Sequence, residues 1–211
     1  MIAIIDYDAG NIKSVQKALL SLGEEVVLTR NPQEILQAEK VILPGVGSFG
    51  DAMQKLKEYN LIDVIYQVVE KKTPFLGICL GLQLMFESSQ ESEGVEGLGI
   101  LKGKIVRIPD NLDESNKPRK IPHIGWNSLY FPKESRLFAG LPQESYVYFV
   151  HSYYLQAQEE DIVAAIAEYG VTIHAAVEKD NVFACQFHPE KSSEVGLTIL
   201  KNFVQIGRKA E

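Results

Sequence analysis

Short runs of β-branched and aliphatic residues alternate with longer segments of helical apolar spacing over the first hundred residues. The short runs predict strands at residues 2–6, 25–29, 40–43 and 75–78. The longer segments predict helices at residues 11–22, 32–37 and 79–87, with Gly23 ending the first of them. Strand and helix in alternation are typical of βαβ units, so we expect a mainly parallel central sheet flanked by helices.

The pattern changes after residues 88–97, an acidic stretch of small residues that we expect to be a surface loop. Strands without long helices follow at residues 100–108, 126–131, 146–154, 162–167, 172–178 and 182–187, and a last helix at 193–208. Asp180 and Asn181 predict a hairpin turn. We therefore predict an α/β fold with an antiparallel extension. Since we find no internal repeat and no strong linker, residues 1–211 are predicted to form a single domain.

Composition narrows the classes of partner. The 211 residues include 21 Lys and Arg against 28 Asp and Glu, a net charge of −7, which disfavours nucleic acid and anionic membranes because both require clustered basic residues. The apolar run at the N-terminus is too short for a signal peptide, and two cysteines are too few for a disulfide framework, so we expect a cytoplasmic protein. His151 and His174 lack a partner at readable spacing and are predicted to be structural, and no metal site is expected.

The strongest local signal is the sequence Gly77-Ile-Cys-Leu-Gly81, which lies between a predicted strand and a predicted helix. Flanking glycines permit a tight turn that lifts Cys79 clear of the sheet, in the form of a nucleophile elbow with cysteine in place of serine. The helix that follows would direct its free N–H groups toward the thiol and offer the Leu80 N–H to a developing oxyanion. The alternative is a buried, unreactive cysteine, which is the usual environment of a free thiol.

A second signal is His188-Pro-Glu190, which places an imidazole and a carboxylate on one side of an extended segment. Such a pair can serve as the base for a thiol and the group that orients it. A surface histidine beside an unrelated acid is the alternative. Cys185, three residues upstream, has no flanking glycines and is predicted to be a core residue.

The third signal is the glycine-rich loop at residues 44–50, directly after a predicted strand. It can bring backbone N–H groups close to an anion or an oxyanion. A phosphate loop is disfavoured because no Gly-Lys-Ser/Thr follows. Taken alone, the loop could equally be an ordinary turn.

The order of these elements resembles the class I (triad) glutamine amidotransferases, which have a flavodoxin-like α/β fold. Within that superfamily the chain is similar to the family of glutaminase subunits of imidazole glycerol phosphate synthase. The runs that carry this resemblance lie at residues 6–11, 44–50, 77–85, 123–127, 148–153 and 187–191. One departure is Asp8, which stands where the family usually has glycine.

The resemblance implies a Cys-His-Glu triad that hydrolyses glutamine through a γ-glutamyl thioester. Cys79 would be the nucleophile, His188 the general base and then acid, and Glu190 the group that holds the imidazole tautomer. The Val46 and Leu80 N–H groups would bind the oxyanion. The resemblance also implies substrate-binding residues, namely Gly47, Gln83, Ser152 and Tyr153. Ser152 and Tyr153 could instead be ordinary strand residues.

The resemblance further implies a heterodimer with a barrel-shaped cyclase subunit, which receives the ammonia, and it implies no cofactor. The interface residues carried over are Asn11, Trp126, Tyr148 and Lys191. Trp126 could instead lie in the core. Two other functions remain open at this point: a different glutaminase of the superfamily, such as the one that supplies pyridoxal phosphate synthesis, and a non-catalytic flavodoxin-like binding module.

Overall fold

The computed structural model describes residues 1–10, 12–110 and 118–208. Its strands are β1 (Ile2–Ile5), β2 (Val26–Thr29), β3 (Lys40–Gly45), β4 (Phe75–Cys79), β5 (Ser88–Ser89), β6 (Gly103–Arg107), β7 (His123–Leu129), β8 (Ser145–His151), β9 (Tyr153–Ala157), β10 (Val163–Glu168), β11 (Thr172–Lys179) and β12 (Val182–Cys185). Its α-helices are α1 (Ile12–Ser21), α2 (Pro32–Gln37), α3 (Phe49–Glu58), α4 (Ile62–Glu70), α5 (Leu80–Leu84) and α6 (Ser193–Gln205).

A seven-stranded sheet in the order β10-β11-β12-β4-β3-β1-β2 forms the centre of the protein. Strands β12, β4, β3, β1 and β2 are parallel. Strand β11 pairs antiparallel with β10 on one side and with β12 on the other, and the predicted turn at Asp180 and Asn181 joins β11 to β12. Two smaller sheets accompany it, β5-β6-β9 and β7-β8. The predicted fold class, a mainly parallel sheet with an antiparallel extension, is therefore confirmed.

Each face of the sheet packs against its own hydrophobic layer. Alternate residues of β1 separate in this way, since Ile2 and Ile4 join the layer beneath α1 and α6, whereas Ala3 and Ile5 join the layer beneath α3, α4 and α5. This two-sided burial explains why the parallel strands are uniformly apolar. In the part of the chain that the structure describes, no helix is both long and apolar enough to span a bilayer.

Three details differ from the pattern-based expectations. Helices α3 and α4 follow the glycine-rich loop, where no helix was predicted. Helix α5 ends at Leu84 rather than near residue 87, because the backbone N–H groups of residues 97–101 take up the carbonyl groups of residues 84–87. The predicted strand at residues 146–154 is divided at Ser152 into β8 and β9, which belong to different sheets.

Substitution of Gly81 tests how closely α5 packs on the backbone of the sheet. A Cβ atom there would lie 1.8 Å from the Leu43 carbonyl oxygen, a backbone atom that cannot move aside, so we expect Gly81→Ala to lower the free energy of unfolding by about 3 kcal/mol or more. Gly94 is the control, since a Cβ there would meet no atom within 4 Å, and Gly94→Ala should cost only about 1 kcal/mol for its positive φ. Urea unfolding measures both; equal losses would contradict the close packing.

Candidate active site

Cys79 lies at the turn from β4 into α5, at the carboxyl edge of the parallel strands. Its backbone has φ 54° and ψ −109°, a conformation that non-glycine residues rarely adopt and that is typical of nucleophile elbows. A Cβ at Gly77 would come within 2.8 Å of the Gly81 backbone, so the turn requires a glycine at this position. The structure thus has the strand-turn-helix geometry that the sequence predicts around this cysteine.

His188 and Glu190 form a buried pair beside the thiol. His188 Nδ1 lies 2.8 Å from Glu190 Oε1, and the two side chains are 2% and 1% exposed. Cys79 and His188 line the same cavity. The other ring nitrogen, Nε2, is buried and makes no ordinary hydrogen bond within the described residues, so it is available for proton transfer.

The charge state of His188 follows from these neighbours. Burial alone would lower its pKa, but the interactions with Cys79 and Glu190 outweigh burial and raise the pKa to about 9. The imidazolium form is therefore favoured at neutral pH beside the sulfur. Cys185 differs, because complete burial raises the pKa of its thiol and no glycine turn exposes it. This contrast favours Cys79 as the reactive thiol.

The glycine-rich loop begins directly beside the thiol. Strands β3 and β4 are neighbours, and their register pairs Gly45 with Cys79. Val46 and Gly47 consequently line the cavity that contains the sulfur, and Gly47 has φ 100°. Beneath the loop, the buried Tyr7 hydroxyl donates a hydrogen bond to the Pro44 carbonyl at 2.8 Å.

A cavity of about 300 Å³ opens over the thiol, a size that suits a small ligand. Its walls include the residues predicted to bind the oxyanion and the substrate, namely Val46, Gly47, Leu80, Gln83, Ser152 and Tyr153. The division of the predicted strand at Ser152 contributes to this wall, because β8 ends and β9 begins there.

Glu91, which no sequence motif marks, also lines the cavity. It is the one acid among the lining residues, and its Oε2 accepts a hydrogen bond from the Phe49 N–H at 2.8 Å. Glu91 lies within residues 88–97, the stretch whose acidic and small residues predict a surface loop. One acid among several in such a loop gives no signal in the sequence.

Two buried histidines support the cavity wall. His151 Nδ1 is 2.9 Å from the Tyr153 carbonyl oxygen and therefore donates to it, which leaves Nε2 to accept a hydrogen bond from His123 Nδ1 at 3.0 Å. His123 is stacked between Phe149 and Tyr169. Burial lowers the pKa of His123 to about 3 and that of His151 to about 4. Both rings are therefore neutral at physiological pH.

The β7-β8 hairpin exposes a patch of apolar side chains, here called the aromatic ribbon. Its members project from one face of the hairpin, where the register pairs Trp126 with Tyr148. They are the exposed Ile124, Trp126 and Tyr146 and the half-buried Tyr148. Trp126 is 51% exposed, so the alternative of a core tryptophan is wrong. Lys191 Nζ lies 6.0 Å from the centre of the Tyr148 ring. Asn11, the remaining predicted interface residue, lies outside the described residues.

Asp8 adopts the left-handed conformation, with φ 65°, that a glycine would adopt at this turn. Arg30 donates to its carboxylate at 2.7 Å and the Tyr59 hydroxyl donates to the other oxygen. The hydrogen bonds from Tyr59 and Arg30 lower the pKa of Asp8. These contacts hold the aspartate in a backbone conformation that costs roughly 1–2 kcal/mol for a non-glycine residue.

Comparison with known proteins agrees with this geometry. Residues 3–206 match the sequence model of the family described as glutamine amidotransferase class-I. The protein named imidazole glycerol phosphate synthase subunit HisH from Methanocaldococcus jannaschii is 48% identical over 206 residues, covering 98% of this chain and 100% of the relative. The protein of the same name from Caldanaerobacter subterraneus subsp. tengcongensis is 51% identical over 203 residues, covering 96% and 97%.

Solved structures share the fold at low sequence identity. A crystal structure of a glutamine amidotransferase superposes with a TM-score of 0.72 at 20% identity, covering 96% of this chain and 98% of that one. The glutaminase domain of CTPS from Trypanosoma brucei, solved with bound acivicin, has a TM-score of 0.66 at 15% identity, covering 99% and 95%. The predicted resemblance to the class I glutamine amidotransferases is confirmed.

The depressed pKa values of the buried histidines predict acid sensitivity. Between pH 6.5 and about 4 the unfolded chain binds a proton on His123 that the folded chain does not, so the free energy of unfolding falls as the pH falls. His123→Gln keeps a donor for His151 but cannot titrate, and we expect its loss of stability over this range to be roughly 2–3 kcal/mol smaller. Urea unfolding at pH 7 and pH 4 measures it. Equal losses in both proteins would show that His123 is protonated in the folded state.

Proposed function

We infer that this chain, which belongs to the glutamine amidotransferase class-I family, is the glutaminase subunit of an imidazole glycerol phosphate synthase. The observation that carries this proposal is the buried His188–Glu190 pair beside Cys79, at the base of a cavity of small-ligand size. The two relatives described above, similar over almost their whole length, support the same activity. The chain would hydrolyse L-glutamine to glutamate and ammonia for histidine biosynthesis.

In the proposed reaction His188 takes the proton of the Cys79 thiol, and the sulfur attacks the γ-carboxamide carbon of glutamine. The negative charge that develops on the carbonyl oxygen is stabilised by the Leu80 N–H at the start of α5 and by the Val46 N–H of the glycine-rich loop. His188 gives its proton to the departing ammonia, which leaves a thioester on the sulfur. His188 then takes a proton from the attacking water, and Glu190 keeps Nδ1 protonated throughout.

The remaining lining residues suit the polar ends of glutamine. Glu91 supplies a negative charge for the α-ammonium group, and Gln83 presents an amide to the same cavity. Ser152 and Tyr153, where β8 gives way to β9, offer backbone groups to the α-carboxylate, and Gly47 leaves room for the substrate beside the loop. No step of this reaction requires a metal or an organic cofactor.

The aromatic ribbon is proposed as the docking surface for the cyclase subunit, a barrel protein, in a heterodimer. Aromatic side chains that are exposed together mark protein interfaces. Trp126 and Tyr148 lie edge to face, with ring centres 6.1 Å apart, and Lys191 adds a cation at the margin. Asn11 is proposed to belong to the same interface on the resemblance alone.

The backbone of Tyr148, a residue of the aromatic ribbon, is hydrogen-bonded directly to the backbone of His188. The His188 N–H donates to the Tyr148 carbonyl at 2.9 Å, and the Tyr148 N–H donates to the Ser192 hydroxyl at 2.9 Å. Ser192 in turn donates to the His188 carbonyl at 2.6 Å. Docking on the Tyr148 side chain would thus act on the strand that holds the catalytic histidine, which supports a glutaminase that responds to its partner.

Two other functions were open from the sequence. A non-catalytic module would not need a strained cysteine next to a fully buried His–Glu pair. Burial of such a charged pair costs desolvation free energy, so its presence favours a catalytic role. Another glutaminase of the superfamily would use the same triad, but the two relatives described above carry the synthase name. We further propose that residues 1–211 form one domain, since both hydrophobic layers draw on the two halves of the chain. A cytoplasmic location is proposed separately, with the biosynthetic role that the name of the two relatives indicates.

Substitution of the two cysteines tests the proposed function. Cys79→Ala should abolish glutamate release from glutamine, because only the thiol opens the carboxamide, and should leave synthesis by the assembled enzyme from added ammonia largely intact. Cys185→Ala is the matched control and should retain glutaminase activity. The assay is glutamate release with the cyclase subunit and its nucleotide substrate present, beside synthesis with ammonium chloride. Loss of activity in the Cys185 variant alone would overturn the assignment.

The docking surface makes a separate prediction. Trp126→Ala should weaken association with the cyclase subunit by about 2 kcal/mol or more, as expected for a central aromatic contact, and should reduce the stimulation of glutaminase activity at limiting partner concentration. Tyr66→Ala removes an exposed aromatic residue of similar size on α4 and serves as the control. Titration calorimetry gives the affinities. Equal affinities for the two variants would exclude the aromatic ribbon as the interface.

A further inference from the structure

Gln186 is a fully buried amide that has no part in the mechanism above. It follows β12 directly, between Cys185 and the triad histidine, and has no exposed surface. Its backbone N–H donates to the Ala175 carbonyl at 2.8 Å, which fixes the residue at the end of the strand. An amide side chain is costly to bury unless each polar atom finds a partner, so its contacts indicate what it does.

The orientation of this amide follows from a backbone carbonyl. Gln83 lies 3.1 Å from the Tyr153 carbonyl oxygen, which can only accept, so the atom that faces it must be the donor Nε2. The same Nε2 lies 3.0 Å from the side chain of Gln186, which must therefore present its oxygen to Gln83. The nitrogen of Gln186 consequently points the other way, and it lies 3.7 Å from the Cys79 sulfur.

We propose that Gln186 is a further catalytic residue of the glutaminase reaction, which donates an N–H hydrogen bond to the Cys79 sulfur, and that Gln83 positions it. This inference rests on the proposed function, since it assigns a role at the same nucleophile. The Val150 carbonyl oxygen lies farther from the same sulfur, at 4.0 Å. Within this arrangement Gln186 makes no covalent bond and transfers no proton.

The chemical need for a second donor arises from the changing charge of His188. The histidine is cationic when the thiolate attacks, it is neutral once ammonia has departed, and it regains a proton only from the water that opens the thioester and releases the sulfur as a thiolate. A glutamine N–H is present at every stage because it does not titrate. Gln186 therefore stabilises negative charge on the sulfur both when it attacks and when it leaves.

The hydrogen bonds that link Tyr153, Gln83 and Gln186 also orient the Gln83 amide in the cavity. Because the Nε2 group of Gln83 is engaged by Tyr153 and Gln186, its oxygen is the atom left for the cavity. An oxygen accepts a hydrogen bond from an ammonium group and repels a carboxylate. One set of hydrogen bonds thus holds the nucleophile and sets the polarity of the substrate wall.

Alkylation of the thiol tests the proposal without glutamine. In a Cys185→Ala background Cys79 is the only cysteine. Gln186→Met keeps the length of the side chain and removes the donor, so the rate of reaction with iodoacetamide at pH 7 should fall about tenfold, the lower end of what a hydrogen bond to a charged group contributes. The pH profile of alkylation should also move to higher pH. An unchanged rate and profile would overturn the proposal.

Further variants separate this role from a structural one. Thermal unfolding reports whether Gln186→Met is folded; if it is not, Gln186→Glu decides, because its carboxylate still accepts from Gln83 but repels a thiolate, and alkylation should slow at least tenfold. Gln83→Met should slow alkylation only because it misplaces Gln186. The variant with both Gln83→Met and Gln186→Met should therefore react as slowly as Gln186→Met alone, and a further decrease in rate would contradict the positioning role of Gln83. If the proposed function itself fails, wild-type protein with its partner releases no glutamate, while the alkylation comparison is unaffected.

Discussion

Direct backbone contact between α5 and the sheet is the constraint on which the rest of the site depends. Gly77 and Gly81 let α5 lie on β3 and β4 with no side chain between them, and a Cβ at either position would overlap backbone atoms. At this turn Cys79 has φ 54° and ψ −109°, a sparsely populated conformation that costs roughly 1–3 kcal/mol. The strain positions the sulfur above the sheet edge and the following N–H beside it.

Strand order explains how distant motifs meet at that sulfur. Strands β3, β4 and β12 are parallel neighbours, so their carboxyl ends open on one edge of the sheet. The glycine-rich loop leaves β3, the nucleophile ends β4, and Gln186 and His188 follow β12. Three adjacent strand ends therefore supply the glycine-rich loop, the thiol and the proposed base, although about 140 residues separate the first from the last in sequence.

The parts of this arrangement that local sequence can predict are those with a local cause. Flanking glycines dictate the elbow at Cys79. His188 and Glu190 do pair locally, but through a 3-10 turn at Pro189–Lys191 rather than along the expected extended segment. Helix α3 could also have been predicted, since Phe49, Met53 and Leu56 have helical spacing, but the preceding glycines draw attention to the loop. By contrast, the amide chain through Gln186 and the entry of Glu91 into the cavity depend on contacts between segments far apart, which no local pattern encodes.

Strand β8 connects the aromatic ribbon, the His188–Glu190 pair and the wall of the cavity. Its side chains alternate, so Tyr146 and Tyr148 face outward while Phe149 and His151 are buried, and its backbone bonds to His188. Such a strand cannot shift its register without turning every side chain to the opposite face, so it moves as a unit. A partner docked on the outward face, as proposed above, would therefore need no long pathway to influence the site. The same strand carries the Tyr148 carbonyl that accepts from the His188 N–H, and its residues Val150 and His151 line the cavity.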